Sequence, residues 1–371
     1  MNRISGDEYD GIYQATVSVP AGTSAGYWDL SVYPIRDVAD NSTGFITRPG
    51  VLVGAPTAPT AVTAIAATGR QVTVSWQAPS DNGGNIITSY QLTESHTDTT
   101  RTVTGTTWTG GFPDIAADEP LTFTVAAVNA AGSSAASAPS PAITVPAEAP
   151  SPVRNASAVR GNQSAAVDWD APAHTHGAPV TGYTVTAGPG EQQVSVEPGV
   201  TQTTVPGLTN GVAYTFTITA ANTAGTSEGV TAGPVTPAGL PQTVASVTAT
   251  ASDRSAAIVW EPADGNGAPV TGHKVTATPG GQHVTVGPDA TQATVPGLTN
   301  GVAYAFVVTA TNSVGSSAPS APSASVTPAG APLAVPGVRV ARGDRKLTVT
   351  WSAANGNGAP VTGYRVAYND S

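Results

Sequence analysis

Over much of the chain, apolar and polar residues alternate one by one. In "YTFTITAAN", Tyr214, Phe216, Ile218 and Ala220 take every second place, with Thr215, Thr217 and Thr219 between them. A period of two belongs to a β-strand with one face buried and the other wet. Tyr304, Phe306, Val308 and Ala310 repeat the pattern. In "AAVDW" Val167 and Trp169 are expected to point inward, and Asp168 and Asp170 outward. No window sustains a 3.6-residue period, so helices are expected to be rare. The 41 Gly and 32 Pro cut the β-branched runs into short strands joined by tight turns.

The same stretches return at a fixed spacing. Trp76, Trp169, Trp260 and Trp351 are 93, 91 and 91 residues apart. "GAPVTG" follows the last three, at Gly177, Gly267 and Gly358, with "GGNIITSY" in the matching place after Trp76. "VPGLTNGVAY" occurs letter for letter at Val205–Tyr214 and Val295–Tyr304. Each such unit holds about seven short strands in about 90 residues, which predicts a two-sheet antiparallel sandwich. One buried Trp removes about 150–250 Å² from water, which makes it a core anchor by size alone.

Three recurring features resemble the fibronectin type III family. They are the early Trp followed by Pro (Trp76 and Pro79, Trp169 and Pro172, Trp260 and Pro262), a later Tyr (Tyr90, Tyr183, Tyr364), and L-x-x-G-x-x-Y (Leu208, Gly211, Tyr214; Leu298, Gly301, Tyr304). The resemblance spans roughly residues 57–371 and implies an all-β chain of tandem immunoglobulin-like sandwiches arranged end to end. It also implies that Tyr214 and Tyr304 form tyrosine corners, the hydroxyl bonding to upstream backbone, with Leu208 plugging the core. The repeated decapeptide is thus expected to be scaffold. Repeat one has Leu121 at the corner position and a region, "WTGGFPDIAADEP", four residues longer than the decapeptide region. It is expected to lack the corner bond and to be the least stable complete repeat. Repeat three carries His273 in place of the strand Tyr.

These marks divide the chain into a partial immunoglobulin-like β-domain (1–55), three fibronectin type III repeats (57–146, 150–237, 241–328) and a truncated fourth (333–371). In the first segment "GIYQATVSV", "YWDLSVYPIRD" and "GFITRPGVLV" read as strands, and "PAGTSAG" and "DVADNST" as loops. The opening residues lack the apolar core of a signal peptide, so a longer natural protein is expected. Residues 335–371 lack the second half of their sandwich and are expected to be unfolded or mispaired, with about 50 further residues completing the repeat. Pro-rich linkers such as "PAEAPSP" and "PAGLPQ" favour extended geometry, and three domains of about 30 Å would make a rod of about 100 Å.

Charge narrows the partners. The net charge of −10 is spread along the chain, and 14 Lys and Arg form no cluster, which argues against nucleic acid. There is no cysteine, so neither disulfides nor thiolate metal sites are available. No apolar run approaches the roughly 20 residues of a membrane-spanning helix.

Several strings suggest chemistry and fail on context. "GTSAG" (Ser24) and "GTSEG" (Ser227) fit the G-x-S-x-G nucleophile elbow, which needs a strand before it and a helix after it. Both precede β-type sequence, and turns are expected instead. His174 and His176 of "HTHG" could share a metal but lack further ligands, and Asp37, Asp40 and Asn41 lack the spacing of a calcium loop. "RGD" at Arg342–Asp344 lies between the first two strands of its repeat, with Gly343–Asp344 expected as the hairpin turn. Of the aromatics outside the assigned cores, Tyr27, Trp28, Trp108 and Phe112 could stack on sugars, but Trp108 aligns with Val205 and is expected to be buried.

No catalytic residue, metal ligand or cofactor site is therefore assigned. The expectation is a non-catalytic extracellular or cell-surface spacer, monomeric, whose partners are other domains of a longer polypeptide and a cell-wall or polysaccharide polymer. Two alternatives remain: an adhesin that binds carbohydrate or protein through "DNGGN", "HTHG" and "DGNG", and an accessory fragment of a secreted glycoside hydrolase or protease. Two Lys against twelve Arg, with the Ala, Gly, Pro and Thr bias, suggest a GC-rich bacterium such as an actinomycete.

Overall fold

The computed structural model describes residues 54–368 and, ahead of them, the backbone of four short strands. These are β1 (Asn2–Ser5), β2 (Ile12–Gln14), β3 (Gly26–Val32) and β4 (Ile46–Leu52), paired antiparallel as β1 with β2 and β3 with β4. Strands β2, β3 and β4 fall in the three stretches read as strands. Ser24, Asp37, Asp40 and Asn41 lie outside the described residues, as do the side chains of Tyr27 and Trp28, and with them the immunoglobulin-like assignment of 1–55. Every regular element described is a strand.

Repeat one comprises β5 (Thr60–Ala67), β6 (Gln71–Gln77), β7 (Ser89–Glu94), β8 (Thr100–Val103), β9 (Thr107–Gly111), β10 (Phe123–Asn129) and β11 (Gly132–Ser133). They form two sheets, β5-β6-β9 and β11-β10-β7-β8. Val72, Val74 and Trp76 face Tyr90, Leu92, Phe123 and Val125 across the core. Repeat two has β12 (Arg154–Arg160), β13 (Ser164–Asp170), β14 (Gly182–Gly188), β15 (Gln192–Val196), β16 (Gln202–Pro206), β17 (Tyr214–Asn222), β18 (Gly225–Thr226) and β19 (Val230–Val235). Repeat three has β20 (Thr248–Ser252), β21 (Ser255–Val259), β22 (Val270–Thr278), β23 (His283–Val286), β24 (Gln292–Pro296) and β25 (Ala305–Asn312). The first sheets of these repeats, β12-β13-β16 and β20-β21-β24, copy that of repeat one.

Contacts divide the chain into two compact units whose border runs through repeat two. The first comprises Met1–Pro152, Pro172–Gly182 and Ala220–Glu228; the second comprises Val153–Ala171, Tyr183–Thr219 and Gly229–Ser371. The first unit therefore contains repeat one with the loops of repeat two that carry His174 and Asn222.

The alternating strands bury the faces their pattern indicates. Val167 and Trp169 are buried while Asp168 and Asp170 are exposed, and the set Tyr214, Phe216, Ile218, Ala220 is buried throughout. Each tryptophan packs on the ring at the strand-Tyr position: Trp76 on Tyr90 at 5.4 Å, Trp169 on Tyr183 at 5.3 Å, Trp260 on His273 at 5.5 Å. Burial pushes the phenol pKa values of Tyr90 and Tyr183 up. His273, only 2% exposed, carries an Nε2 with no partner where the others carry a phenol.

Both corners form. Tyr214 Oη accepts a bond from the Thr209 N–H at 3.2 Å, and Tyr304 Oη accepts one from Thr299 at 3.2 Å. Leu121 has no hydroxyl to offer and keeps only the backbone bridge, to Ile143, that Tyr304 also makes to Val326. Phe112 takes the plug position in repeat one: its N–H bonds the carbonyl of Arg70 at 3.0 Å, as Leu208 bonds Gln163 at 2.9 Å and Leu298 bonds Arg254 at 3.0 Å.

Repeats one and three close with an S-x-x-S-x-x-S segment in place of a long final strand. In repeat three the N–H groups of Ala310, Val308 and Phe306 donate to the hydroxyls of Ser317, Ser320 and Ser323 at 3.0–3.1 Å. Ser134, Ser137 and Ser140 do the same for Ala127, Val125 and Phe123. A serine every third residue matches the three-residue turn of a polyproline helix, which brings each hydroxyl to the same side. Repeat two instead adds β19 by backbone pairing with β17.

Residues 335–368, expected to be unfolded or mispaired, depart from expectation. Residues 339–350 pair as a regular hairpin of β26 (Arg339–Gly343) and β27 (Lys346–Thr350), and Trp351 packs against Tyr364 with ring centroids 5.4 Å apart. Its register is set locally by a two-residue turn and needs no long-range contact. Its apolar face stays open: Val340 is 60% exposed and Leu347 62%.

Candidate functional site at the repeat junctions

Side-chain hydrogen bonds gather at the ends of the described repeats. Six residues before each tryptophan stands a residue in the left-handed region: Arg70 (φ 54), Gln163 (φ 52), Arg254 (φ 51) and Arg345 (φ 50). This turn is the base on which the junctions are built.

Within the second unit, two junctions share one design. Asn210, from the repeated decapeptide, accepts the Gln163 N–H at 2.8 Å, and its Nδ2 donates to Asn162 Oδ1 and Asn266 Oδ1, both at 2.8 Å. Asn266 belongs to the next repeat and in turn donates to the linker carbonyl of Leu240 at 2.9 Å. One repeat further on, Asn300 accepts the Arg254 N–H at 2.9 Å and donates to Asp253 Oδ1 at 2.7 Å and Asn357 Oδ1 at 2.8 Å. Backbone bonds tie in the linkers: Gly211 N–H to Pro237 O at 3.0 Å, Gly239 N–H to Asn266 O at 2.9 Å, and the equivalents Gly301 to Pro328 and Gly330 to Asn357, both at 2.9 Å. The first glycine of "GAPVTG" is required here. A Cβ on Gly267 would stand 2.5 Å from Pro237 O and 2.7 Å from Gly211 N, and Gly358 repeats the geometry.

Within the first unit, the junction after repeat one uses an arginine. Arg70, 2% exposed, donates through Nε to Phe112 O (3.1 Å), through Nη1 to Val145 O (3.3 Å), Pro146 O (2.6 Å) and His176 O (3.1 Å), and through Nη2 to Ile115 O. Burial lowers its pKa, and the nearby Glu148 and Asp114 carboxylates oppose that shift. The longer region of repeat one supplies Phe112 and Ile115, and its Ala117 N–H also reaches Gly177 O at 3.1 Å. His176 O takes a second bond from Glu148 N, while Asn222 Nδ2 donates to Glu148 O at 2.8 Å and Thr175 O at 2.9 Å.

The residues singled out from sequence fall into place around these junctions. His174 Nδ1 pairs with Asp114 Oδ2 at 2.8 Å, and His176 Nδ1 donates to Ala149 O at 2.7 Å. The two rings stack at 5.9 Å, each with a nitrogen already engaged. Among the described residues, no group of three or more His, Asp or Glu is placed to hold a metal ion. Ser227 is buried, accepting the Ala220 N–H at 3.0 Å and donating to Glu228 O at 2.9 Å, so both functions of its hydroxyl serve the strand. The RGD tripeptide lies in the hairpin of the fourth repeat, but the turn pair is Asp344–Arg345, since Gly343 is opposite Lys346.

Trp108 needs a correction. It stands opposite Val74, the place held by Thr203 opposite Val167, two residues earlier than Val205. Its indole nevertheless lies over Gly110, where a Cβ would come 2.1 Å from the ring and where Val205 has its side chain. It is partly buried, and the Arg101 guanidinium sits 5.1 Å from the ring centroid, leaving no free face for a sugar. Phe112 is buried. The three loops considered as ligand contacts are engaged as well. Gly83 of "DNGGN" accepts the Gly54 N–H at 2.8 Å, while "HTHG" and "DGNG" supply His176 and Asn266.

Immunoglobulin-like sandwiches with tyrosine corners and a buried early tryptophan agree with what comparison of the chain finds. The fibronectin type III domain matches residues 57–143, 149–233 and 241–326, and the chain belongs to this family. Chitinase A1 of Niallia circulans is 31% identical over 242 residues, covering 60% of this chain and 32% of that protein. Exoglucanase B of Cellulomonas fimi is 30% identical over 297 residues, covering 74% of this chain and 26% of that protein. The chain therefore spans less than a third of either relative's length. A solved structure, the FN1-FN3 domains of chicken CNTN1, is 17% identical with a TM-score of 0.36 and covers 74% of this chain and 99% of that one.

Proposed function

We propose that the chain is a non-catalytic extracellular spacer, a series of fibronectin type III repeats that holds an attached domain at a distance. The observation that carries this reading is the use of the repeat ends. The loops where a sandwich of this kind would present a ligand site spend their polar groups on the neighbouring repeat or linker, as Asn266 does on Asn210 and Leu240. On this reading the repeats act as the independent folding units 57–146, 150–237 and 241–328, the chain is monomeric, and its partners are domains of the same polypeptide.

The relatives favour one version of this function. Both are named as enzymes of polysaccharide breakdown, a chitinase and an exoglucanase, so the attached domain would be a secreted glycoside hydrolase working on an insoluble polymer. Incubation with chitin, cellulose and purified cell wall tests the reading. A spacer stays in the supernatant and hydrolyses none of them. Saturable retention on one polymer would make the chain a binding module, and turnover lost on Ser227→Ala would make it an enzyme.

A further inference from the structure

The two asparagine junctions are built on Asn-Gly pairs, 210–211 with 266–267 and 300–301 with 357–358. Asparagine followed by glycine is chemically labile, because no Cβ hinders the glycine nitrogen from reaching the preceding side chain. In that reaction the Gly nitrogen attacks Asn Cγ, a C–N bond forms, the Cγ–Nδ2 bond breaks, and ammonia leaves with the amide proton. Water then opens the succinimide ring to aspartate or isoaspartate. No oxidant or enzyme is needed.

The closed junction restrains both reacting groups. The Gly301 N–H is committed to Pro328 O at 2.9 Å and that of Gly211 to Pro237 O at 3.0 Å. The Asn300 amide is held at both ends, its Oδ1 by Arg254 N–H and its Nδ2 by Asp253 and Asn357. We propose that Asn210 and Asn300 are deamidation sites gated by the junction, protected while it is closed and reactive when it opens. The consequences differ between the two. A carboxylate at position 300 would face the Asp253 carboxylate across a former 2.7 Å hydrogen bond, and the joint would stay open. A carboxylate at 210 would face the amides of Asn162 and Asn266, and Asn162 can turn its NH2 group toward it. The junction after repeat one carries Asp114–Ile115 where the decapeptide has Asn210–Gly211, and His176–Gly177 in place of Asn266–Gly267, and is exempt.

Peptide mass mapping of the full chain, aged in mildly alkaline buffer, tests this directly. The site rates are compared with that of the free decapeptide VPGLTNGVAY and with two variants. A Cβ on Gly330 would stand 2.4 Å from Asp253 Oδ1 and 2.5 Å from Asn357 Nδ2, and one on Gly239 would stand 2.4 Å from Asn266 Nδ2 and 2.5 Å from Asn162 Oδ1. Gly330→Val should therefore open one junction and Gly239→Val the other without touching Asn300–Gly301 or Asn210–Gly211. In the native chain both sites should react about ten-fold or more slowly than the peptide. Gly330→Val should speed Asn300 alone, and Gly239→Val Asn210 alone. Native rates equal to the peptide's would overturn the proposal whatever the variants do, as would variants that fold, by their circular dichroism, and leave the matching rate unchanged.

Discussion

Arg70 holds the first junction by donating to the Phe112, Ile115, Val145, Pro146 and His176 carbonyls at once. Removing it leaves the Phe112, Ile115 and Val145 carbonyls buried and unpaired, and each such group costs about 1–3 kcal/mol. Arg70→Met should thus destabilise repeat one by about 3 kcal/mol in urea unfolding, whereas Arg254→Met, at the matching but exposed position, should be near neutral. Glu94 is the second buried charge of repeat one. Burial pushes its carboxyl pKa up, but the Thr97 hydroxyl and the backbone N–H groups of His96 and Thr97 outweigh that and hold it below the usual glutamate range. A carboxylate with a lowered folded pKa contributes stability that is present above the unfolded value and lost as pH falls through the folded one. The stability gap between the native chain and Glu94→Gln should therefore be widest at neutral pH and shrink on acidification below the ordinary glutamate pKa. A constant gap would assign Glu94 a purely steric role. Neither residue stood out in the sequence. Arg70 shares its position with the exposed Arg254 and Arg345, and only the carbonyls of the longer region in repeat one set it apart. The tryptophans and corner tyrosines were legible because their size and spacing admit one role.

At the scale of the element, strands with a period of two were legible wherever one face is dry, as in β13 and β17. The closing segments of repeats one and three were not, because their period is three and their bonds to the sheet run through serine hydroxyls. Ser320 shows the cost of that arrangement: its Oγ accepts the Val308 N–H at 3.0 Å and donates to Ala321 O at 2.9 Å. Ser320→Ala should destabilise repeat three by about 1–2 kcal/mol by leaving a buried N–H without a partner. Thermal unfolding of repeat three would register it, and an unchanged midpoint would show that backbone groups or water replace the hydroxyl. The hairpin turn near the RGD tripeptide was legible, one residue early at Gly343–Asp344, but the regular pairing of its strands was not. That turn, Asp344–Arg345 with Arg345 at φ 50, fixes the register without long-range contacts, so the hairpin forms although Val340 and Leu347 remain exposed.

At the scale of the molecule, the repeated decapeptide does more than brace its own sandwich. Tyr214 and Leu208 serve the repeat they belong to, while Gly211 ties in the linker and Asn210 reaches the next repeat. The marks "TNG" and "GAPVTG", which were legible as repeats, are the two halves of one junction, and their pairing could not be read from a linear string. Where the chain changes one half, the other changes too: "HTHG" replaces "DGNG" opposite the longer region and Arg70. The central claim is that the Asn210 contacts fix repeat three relative to the part of repeat two in the same unit. The absence of cysteine makes it testable with two spin labels alone, at the exposed positions Ser195 in repeat two and Thr285 in repeat three. Electron–electron distance measurement on the Ser195→Cys, Thr285→Cys chain should give one narrow distribution that broadens when Asn210→Ala is added. A broad distribution in the chain with Asn210 intact would contradict the account.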